Sequence, residues 1–302
     1  MQKLRAILTL IRFPNLLFIL LTQVLVYIFI VLPTTDRLCQ APTLEGLQVI
    51  GIILSTVMIA AAGYMINDYF DIGIDNINKP EKVTIEKIFK RRTIIIWHIL
   101  LNVLALAIVS YLSYHWLKLR YIGIQLLCIF LLVVYSTTFK RKLIIGNVII
   151  AILTSLTLLS IVVYEPKIHL VDFSIFQIRF LWNYIAFAFL ITLIREIVKD
   201  IEDVKGDTTL QCRTIPLVWG INRAKQFIYA LSVALMLLFV YMAVDFFDTH
   251  IILLSCLGIG VLLPLVVIII SVYRATTSKD FHRISTFIKI VTLLGILSMM
   301  FI

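Results

Sequence analysis

The sequence predicts an all-α polytopic membrane protein, with about nine transmembrane helices around a central cavity and acidic motifs on spans two and six. Three observations carry this expectation. Apolar residues make up 61% of the chain and its mean hydropathy is +1.05, whereas soluble domains are only about half apolar. The apolar excess falls into blocks close to the roughly 20 residues that a helix needs to cross a bilayer, near 13–33, 47–66, 93–114, 121–138, 143–164, 181–198, 225–245, 250–272 and 284–302. With nine spans and the N-terminus inside, every basic residue falls on or near the inner side except Arg37, Lys118, Arg120, Lys167 and Arg179, which is the charge bias of cytoplasmic loops.

The longest polar connections follow spans two and six, near 67–92 and 195–223, so no soluble domain fits and residues 1–302 are expected to form a single membrane domain. Lys3 and Arg5 resemble a secretory n-region, but the apolar run continues to Pro33 without a small-residue cleavage site; it is expected to be retained as span one. The expected location is the cytoplasmic membrane, with the N-terminus and the active site facing the cytoplasm. No nucleic-acid partner is expected.

Cys39, Cys128, Cys212 and Cys256 are scattered and suggest neither a metal site nor a disulfide framework. His98, His115, His169, His250 and His282 show no HxxxH or HExxH spacing, which argues against a histidine-ligated zinc.

One short pattern is written twice, D-x-x-D-x-x-x-D, as Asp68, Asp71 and Asp75 and again as Asp200, Asp203 and Asp207. At about 100° per residue each triplet is expected on one helical face. The two copies start on spans two and six and approach the membrane in the same direction, as in a parallel repeat of spans one to four and five to eight with span nine added. An inverted-repeat transporter would oppose them. Intramembrane carboxylates are costly unless something binds them.

In chain order, Arg12 and Asn15 flank Pro14 at the mouth of span one, where each could reach the cavity or, for Arg12, serve as an interfacial anchor. After the first motif, Glu81 to Arg92 alternates charge with aliphatic residues, as in a short interfacial helix or lid or a solvated loop. Tyr135-Ser136-Thr137-Thr138-Phe139-Lys140-Arg141-Lys142 forms a basic turn opposite the acidic helices. Glu196 lies four residues before Asp200 and nearly on the same face.

Hard oxygen ligands without clustered Cys or His select Mg²⁺ over zinc or copper. Mg²⁺ held by one or two carboxylates leaves positions for substrate phosphate, so a diphosphate bridging the two motifs is expected, with a lysine completing the clamp. Inside a membrane this suggests an isoprenoid diphosphate, whose carbocation an apolar cavity would shield from water. A cation or metabolite transporter would explain the acids but not their clustering at one face, because Ile50 to Ile66 offers only Ser55, Thr56 and Tyr64 as polar groups.

These residues resemble the UbiA superfamily of intramembrane prenyltransferases, and the likeness covers nearly the whole chain. Its N-D-x-x-D-x-x-x-D motif is matched by Asn67, Asp68, Asp71 and Asp75, and its second acidic motif by Asp200, Asp203 and Asp207. Its Y-S-x-x-x-K turn is matched by Tyr135, Ser136 and Lys140, and its R-x-x-N by Arg12 and Asn15. The resemblance implies a nine-helix bundle, Mg²⁺ dependence and prenyl-diphosphate chemistry. Asp68, Asp71, Asp200, Asp203 and Asp207 would hold the metals, and Asp75 would support them or the lid. Arg12, Asn15, Asn67, Tyr135, Lys140 and Lys199 would bind substrate. The run Arg195 to Asp207 is most similar to the digeranylgeranylglyceryl phosphate synthase branch, implying transfer of a geranylgeranyl group to a glyceryl phosphate lipid as an ether. The stretch after Pro80 departs from the family's usual R-P-x-x-x-G continuation, and an aromatic acceptor, as in quinone or haem biosynthesis, stays open.

Overall fold

The computed structural model describes residues 2–44, 46–78, 84–115, 122–209 and 212–302, with the backbone alone at 2, 74–78 and 115. Among the described residues, nine helices are long and apolar enough to cross a membrane. They are Phe13–Arg37, Leu47–Gly73, Arg91–Tyr114, Ile122–Phe139, Ile145–Val163, Phe176–Glu202, Ile221–Phe246, Ile251–Arg274 and Ser278–Phe301, here called spans one to nine. All nine fall on the apolar blocks of the sequence.

Local chemistry sets several boundaries. A preceding helix, Gln2–Leu10, turns into span one at Arg12, whose φ of 50° is left-handed, and Pro14 follows in the first helical turn. Proline is favoured there because its missing N–H has no helical partner to lose. Thr277 caps span nine, and its hydroxyl exchanges hydrogen bonds with Asp280 in a capping box. Span seven starts after Gly220, whose φ of 86° suits glycine.

Span two packs against spans one, three, four and five, and span six against spans one, five, seven and nine. Span nine closes the ring on span one. At an offset of four spans, the neighbours one, three and five of span two correspond to the neighbours five, seven and nine of span six, the pattern of the expected parallel repeat. Span eight has the highest mean hydropathy of the nine, 2.9, and span nine, which carries Ser285 and Lys289, packs on span six.

Midway across the bundle, Gln23 on span one is fully buried and donates to Thr56 Oγ1 at 3.3 Å on span two and to Ser160 Oγ at 2.8 Å on span five. Gln125 on span four donates to the same Thr56 hydroxyl at 3.5 Å. Four spans are thus tied by amide and hydroxyl groups, since a bilayer offers no water to satisfy them.

Of the alternatives expected for Glu81 to Arg92, a short interfacial helix or lid or a solvated loop, the described part before span three forms a turn and no helix. Residues 79–83 lie outside the described residues. Thr84 to Lys90 forms a tight turn in which Glu86 N–H donates to the Phe89 carbonyl at 2.8 Å. Ile85 is buried beside Leu10, Met65, Ile72 and Ile94. One buried isoleucine pins the turn against the bundle, where an amphipathic helix would have lain flat on the surface.

Candidate active site

The C-terminal ends of spans two and six and the N-terminal ends of spans one, five and nine meet at one end of the bundle. The first motif lies on one continuous helix, Leu47–Asn78. Asp71 is 3% exposed, accepts from Asn67 Nδ2 at 2.7 Å and is paired with the Lys140 ammonium. Lys140 also reaches Asn67 Oδ1 at 3.4 Å. Asp68 faces another way and takes Arg12 Nη2 at 2.8 Å. The backbone places Asp75 on the same helix, but its side chain lies outside the described residues.

The second motif departs from the expected single stripe. Span six ends at Glu202; Asp203 occupies its C-cap, with φ −95° and ψ 7°, and a short helix, Val204–Thr209, carries Asp207. Asp207 N–H still donates to the Asp203 carbonyl at 3.2 Å, so the chain bends without losing its bonding pattern. Asp200 remains on span six and accepts from Asn147 Nδ2 at 2.8 Å. The bend brings Asp207 within electrostatic reach of Asp203, Lys140 and Asp71. Burial, and then the Asp203 charge, push the Asp207 carboxyl up to about 6.

Lys140 is aimed by a distorted turn. Residues Tyr135–Phe139 form a π-helical turn, closed by Lys140 N–H donating to the Tyr135 carbonyl at 2.9 Å. Such turns displace the residues after them relative to a regular helix. Ile144, a β-branched residue at φ 61°, and Arg12 at φ 50° are non-glycine residues in left-handed conformations on either side of the site. Strain of this kind persists only where the surroundings hold it. Arg213 N–H donates to the Arg141 carbonyl at 2.9 Å, tying the loop after the second motif to the basic turn.

Burial opposes the charge of Lys140, but Asp71 and Tyr135 outweigh it and hold the ammonium above its ordinary range. The Arg12 guanidinium likewise stays charged, because Asp68 and Tyr64 outweigh its desolvation. Tyr135 lies within electrostatic reach of Lys140, Glu196, Asp71 and Asp200, between the two motifs. Ser136 instead donates back to the Leu132 carbonyl at 2.9 Å. Asn15 is half-buried one turn into span one, and Lys199 donates to Glu196 Oε2 at 2.8 Å.

Among the described residues no three carboxylate, cysteine or histidine side chains are gathered into a metal-binding group. The candidate ligands are carboxylate oxygens from spans two and six and the short helix after span six, and Asp68, Asp71 and Asp200 are held by a cation or an amide. That set suits an ion that takes one or two carboxylates and completes its shell with water and phosphate. Sequence reasoning passed over Asn147, Arg195 and Lys289. The adjacency of Asn147 to the Lys140 turn was a usable signal; Lys289 gave none beyond being a cation deep in an apolar span. An open apolar cleft of about 430 Å³ between spans five and six, lined by Leu156, Trp182 and Phe189 among others, lies farther from the motif end than Asp200.

The UbiA prenyltransferase family model matches residues 13–291. The chain is 29% identical over 243 residues to the digeranylgeranylglyceryl phosphate synthase of Methanosphaera stadtmanae, covering 78% of this chain and 81% of that protein. It is 30% identical over 267 residues to the synthase of Saccharolobus solfataricus, covering 83% and 84% respectively. A solved structure of digeranylgeranylglyceryl phosphate synthase superposes with a TM-score of 0.67 at 21% identity, over 99% of this chain and 98% of that one. A UbiA homologue from Archaeoglobus fulgidus bound to DMAPP and Mg²⁺ gives 0.64 at 18% identity, over 95% and 98%. At these identities the solved structures establish the shared fold, while the match along the sequence establishes descent. This integral membrane protein belongs to the UbiA prenyltransferase family.

Proposed function

We propose that this chain, acting as one domain over 1–302, transfers a geranylgeranyl group from its diphosphate to a glyceryl phosphate lipid, forming an ether in an Mg²⁺-dependent reaction. The observation that carries this reading is the meeting of Asp71, Asp207 and Lys140, drawn from three separate elements, at the mouth of an apolar bundle. The names of the relatives support the choice of acceptor. The basic loops support an active site facing the cytoplasm.

Asp68, Asp71, Asp200, Asp203 and Asp207 hold Mg²⁺ in this reading, with Asp75 in support. When bound, the metal supplies Lewis-acid stabilisation of the departing diphosphate. Asn67, by donating to Asp71, fixes the direction of that carboxylate, and Asn147 does the same for Asp200. Lys140 and Arg12 neutralise diphosphate oxygens, and Tyr135 and Asn15 position them. The apolar spans exclude water, so that the allylic cation meets the acceptor hydroxyl rather than solvent.

The test is transfer of label from geranylgeranyl diphosphate by purified protein, with and without Mg²⁺, offered geranylgeranylglyceryl phosphate beside an aromatic acid. Chelator-sensitive label in the glyceryl lipid is the expected result. Label in the aromatic product alone would overturn the acceptor assignment and keep the family.

A further inference from the structure

A second cluster of charge lies deeper than the carboxylates. On span six, Glu196 accepts from Arg195 Nη1 at 2.9 Å and from Lys199 Nζ at 2.8 Å. Lys289 on span nine lies within electrostatic reach of Arg195, Lys199, Arg12 and Glu196. By helix rise, Glu196 is about 9 Å from the end of span six and Lys289 roughly 16 Å from the start of span nine. These are interior positions, where a cation is costly without a counter-ion.

The protein's own anions do not balance them. Arg12, Arg195, Lys199 and Lys289 are met by Asp68, held by Arg12, by Glu196, and by Asp200 within electrostatic reach of Lys199, while the nearby Asp71 is taken by Lys140. Among the described residues Lys289 makes no ion pair, and the buried Nε of Arg195 has no hydrogen-bond partner. One positive charge is left in excess without metal and two when Asp200 is engaged by Mg²⁺ in the proposed reading, together with directed donors. The complement is a doubly charged anion with several acceptor oxygens, which is a phosphate monoester. The cluster lies between spans one, six and nine, beside Asp200 on span six, whereas Asp71 is on span two and Lys140 just after span four.

We infer that Arg195, Lys199 and Lys289, with Arg12 at the rim, form a second anion site that takes the phosphate monoester headgroup of the lipid acceptor. The site adjoins the carboxylates that serve the diphosphate, with Asp200 next to Lys199 on span six, but is built on cations of spans six and nine. This inference rests on the proposed acceptor class and assigns Lys199 to the acceptor rather than the donor. Holding the acceptor phosphate on spans six and nine leaves the free glyceryl hydroxyl to point toward the diphosphate carbon. It also holds the second headgroup on cations other than Lys140, with Arg12 shared between the two.

The test measures binding to detergent-solubilised protein in chelator, without prenyl donor, of geranylgeranylglyceryl phosphate and of its dephosphorylated alcohol. The phosphate lipid is expected to bind at least about tenfold more tightly than the alcohol. Lys289→Gln and Lys199→Gln, read separately so that misfolding of one does not silence the other, should erase most of that preference, and Lys289→Arg should restore it. Affinity for geranylgeranyl diphosphate with Mg²⁺ should stay within about twofold in Lys289→Gln. A preference unchanged in both glutamine variants, or an equal loss of diphosphate affinity, would overturn the inference. Inorganic phosphate competing as well as the lipid would do the same, since the site would then hold a simple ion. The transfer assay separates the two levels. Label in the glyceryl lipid without a phosphate preference sinks this inference alone, and label only in an aromatic acceptor sinks the reading beneath it.

Discussion

Gly146 lies directly against Lys140: a Cβ added at residue 146 would stand 3.1 Å from the Lys140 Cα and 2.9 Å from the Phe139 carbonyl oxygen. Both neighbours are backbone and cannot swing aside as a side chain would. The first turn of span five therefore acts as a stop that fixes the turn carrying the ammonium. Gly146→Ala should push the Lys140 turn away from Asp71 and lower kcat by at least about tenfold, since small displacements of positioning groups cost on this scale. Membrane insertion should be unchanged. Steady-state kinetics beside size-exclusion chromatography in detergent would check it.

Lys140→Gln would leave the buried Asp71 carboxylate without its cation. The expected destabilisation is about 1–3 kcal/mol, read by thermal unfolding in detergent. Adding Asp71→Asn to that variant should recover most of the stability and none of the turnover. A double variant that stays as unstable as the single one would show that the pair does not carry this part of the fold.

Asp203 sits at the C-cap of span six rather than within a helix. Asp203→Ala should abolish transfer while the protein stays folded and monodisperse. Retained turnover would remove Asp203 from the metal assignment.

Asn147 presents its amide to Asp200 at 2.8 Å. Asn147→Leu removes the donor that orients this carboxylate and should raise the Mg²⁺ concentration needed for half-maximal activity by about tenfold. Maximal rate at saturating Mg²⁺ should fall far less. A Mg²⁺ titration of the variant distinguishes this from simple inactivation.

Gln23 bridges spans one, two and five at mid-membrane, away from the charged groups. Gln23→Leu should cost about 1 kcal/mol, the scale of interhelical hydrogen bonds in bilayers, and leave the Mg²⁺ requirement unaltered. Thermal unfolding and the same titration check both halves.

Much of this molecule is legible along the chain, because a bilayer imposes one-dimensional rules. Span length follows from bilayer thickness, so the nine apolar blocks fall on the nine long apolar helices among the described residues, with ends that differ by several residues. The spacing of Asp68 and Asp71 placed them on one helix, and the Tyr135 to Lys140 turn faces them. What the sequence could not supply was rotation and contact. Its helical arithmetic could not foresee that span six stops at Asp203, where the bend carries Asp207 toward Asp71 and Lys140. Nor could it pair Lys289 with Arg195 and Lys199, because an apolar span has too weak a polar pattern to show which face turns inward. The packing of span nine, rather than span eight, on span six decided that. Hydrophobicity alone marked which segments are long and apolar enough to cross a membrane, whereas the pairing of buried charges, which depends on distances of a few ångströms between residues far apart in sequence, was settled only by the folded bundle.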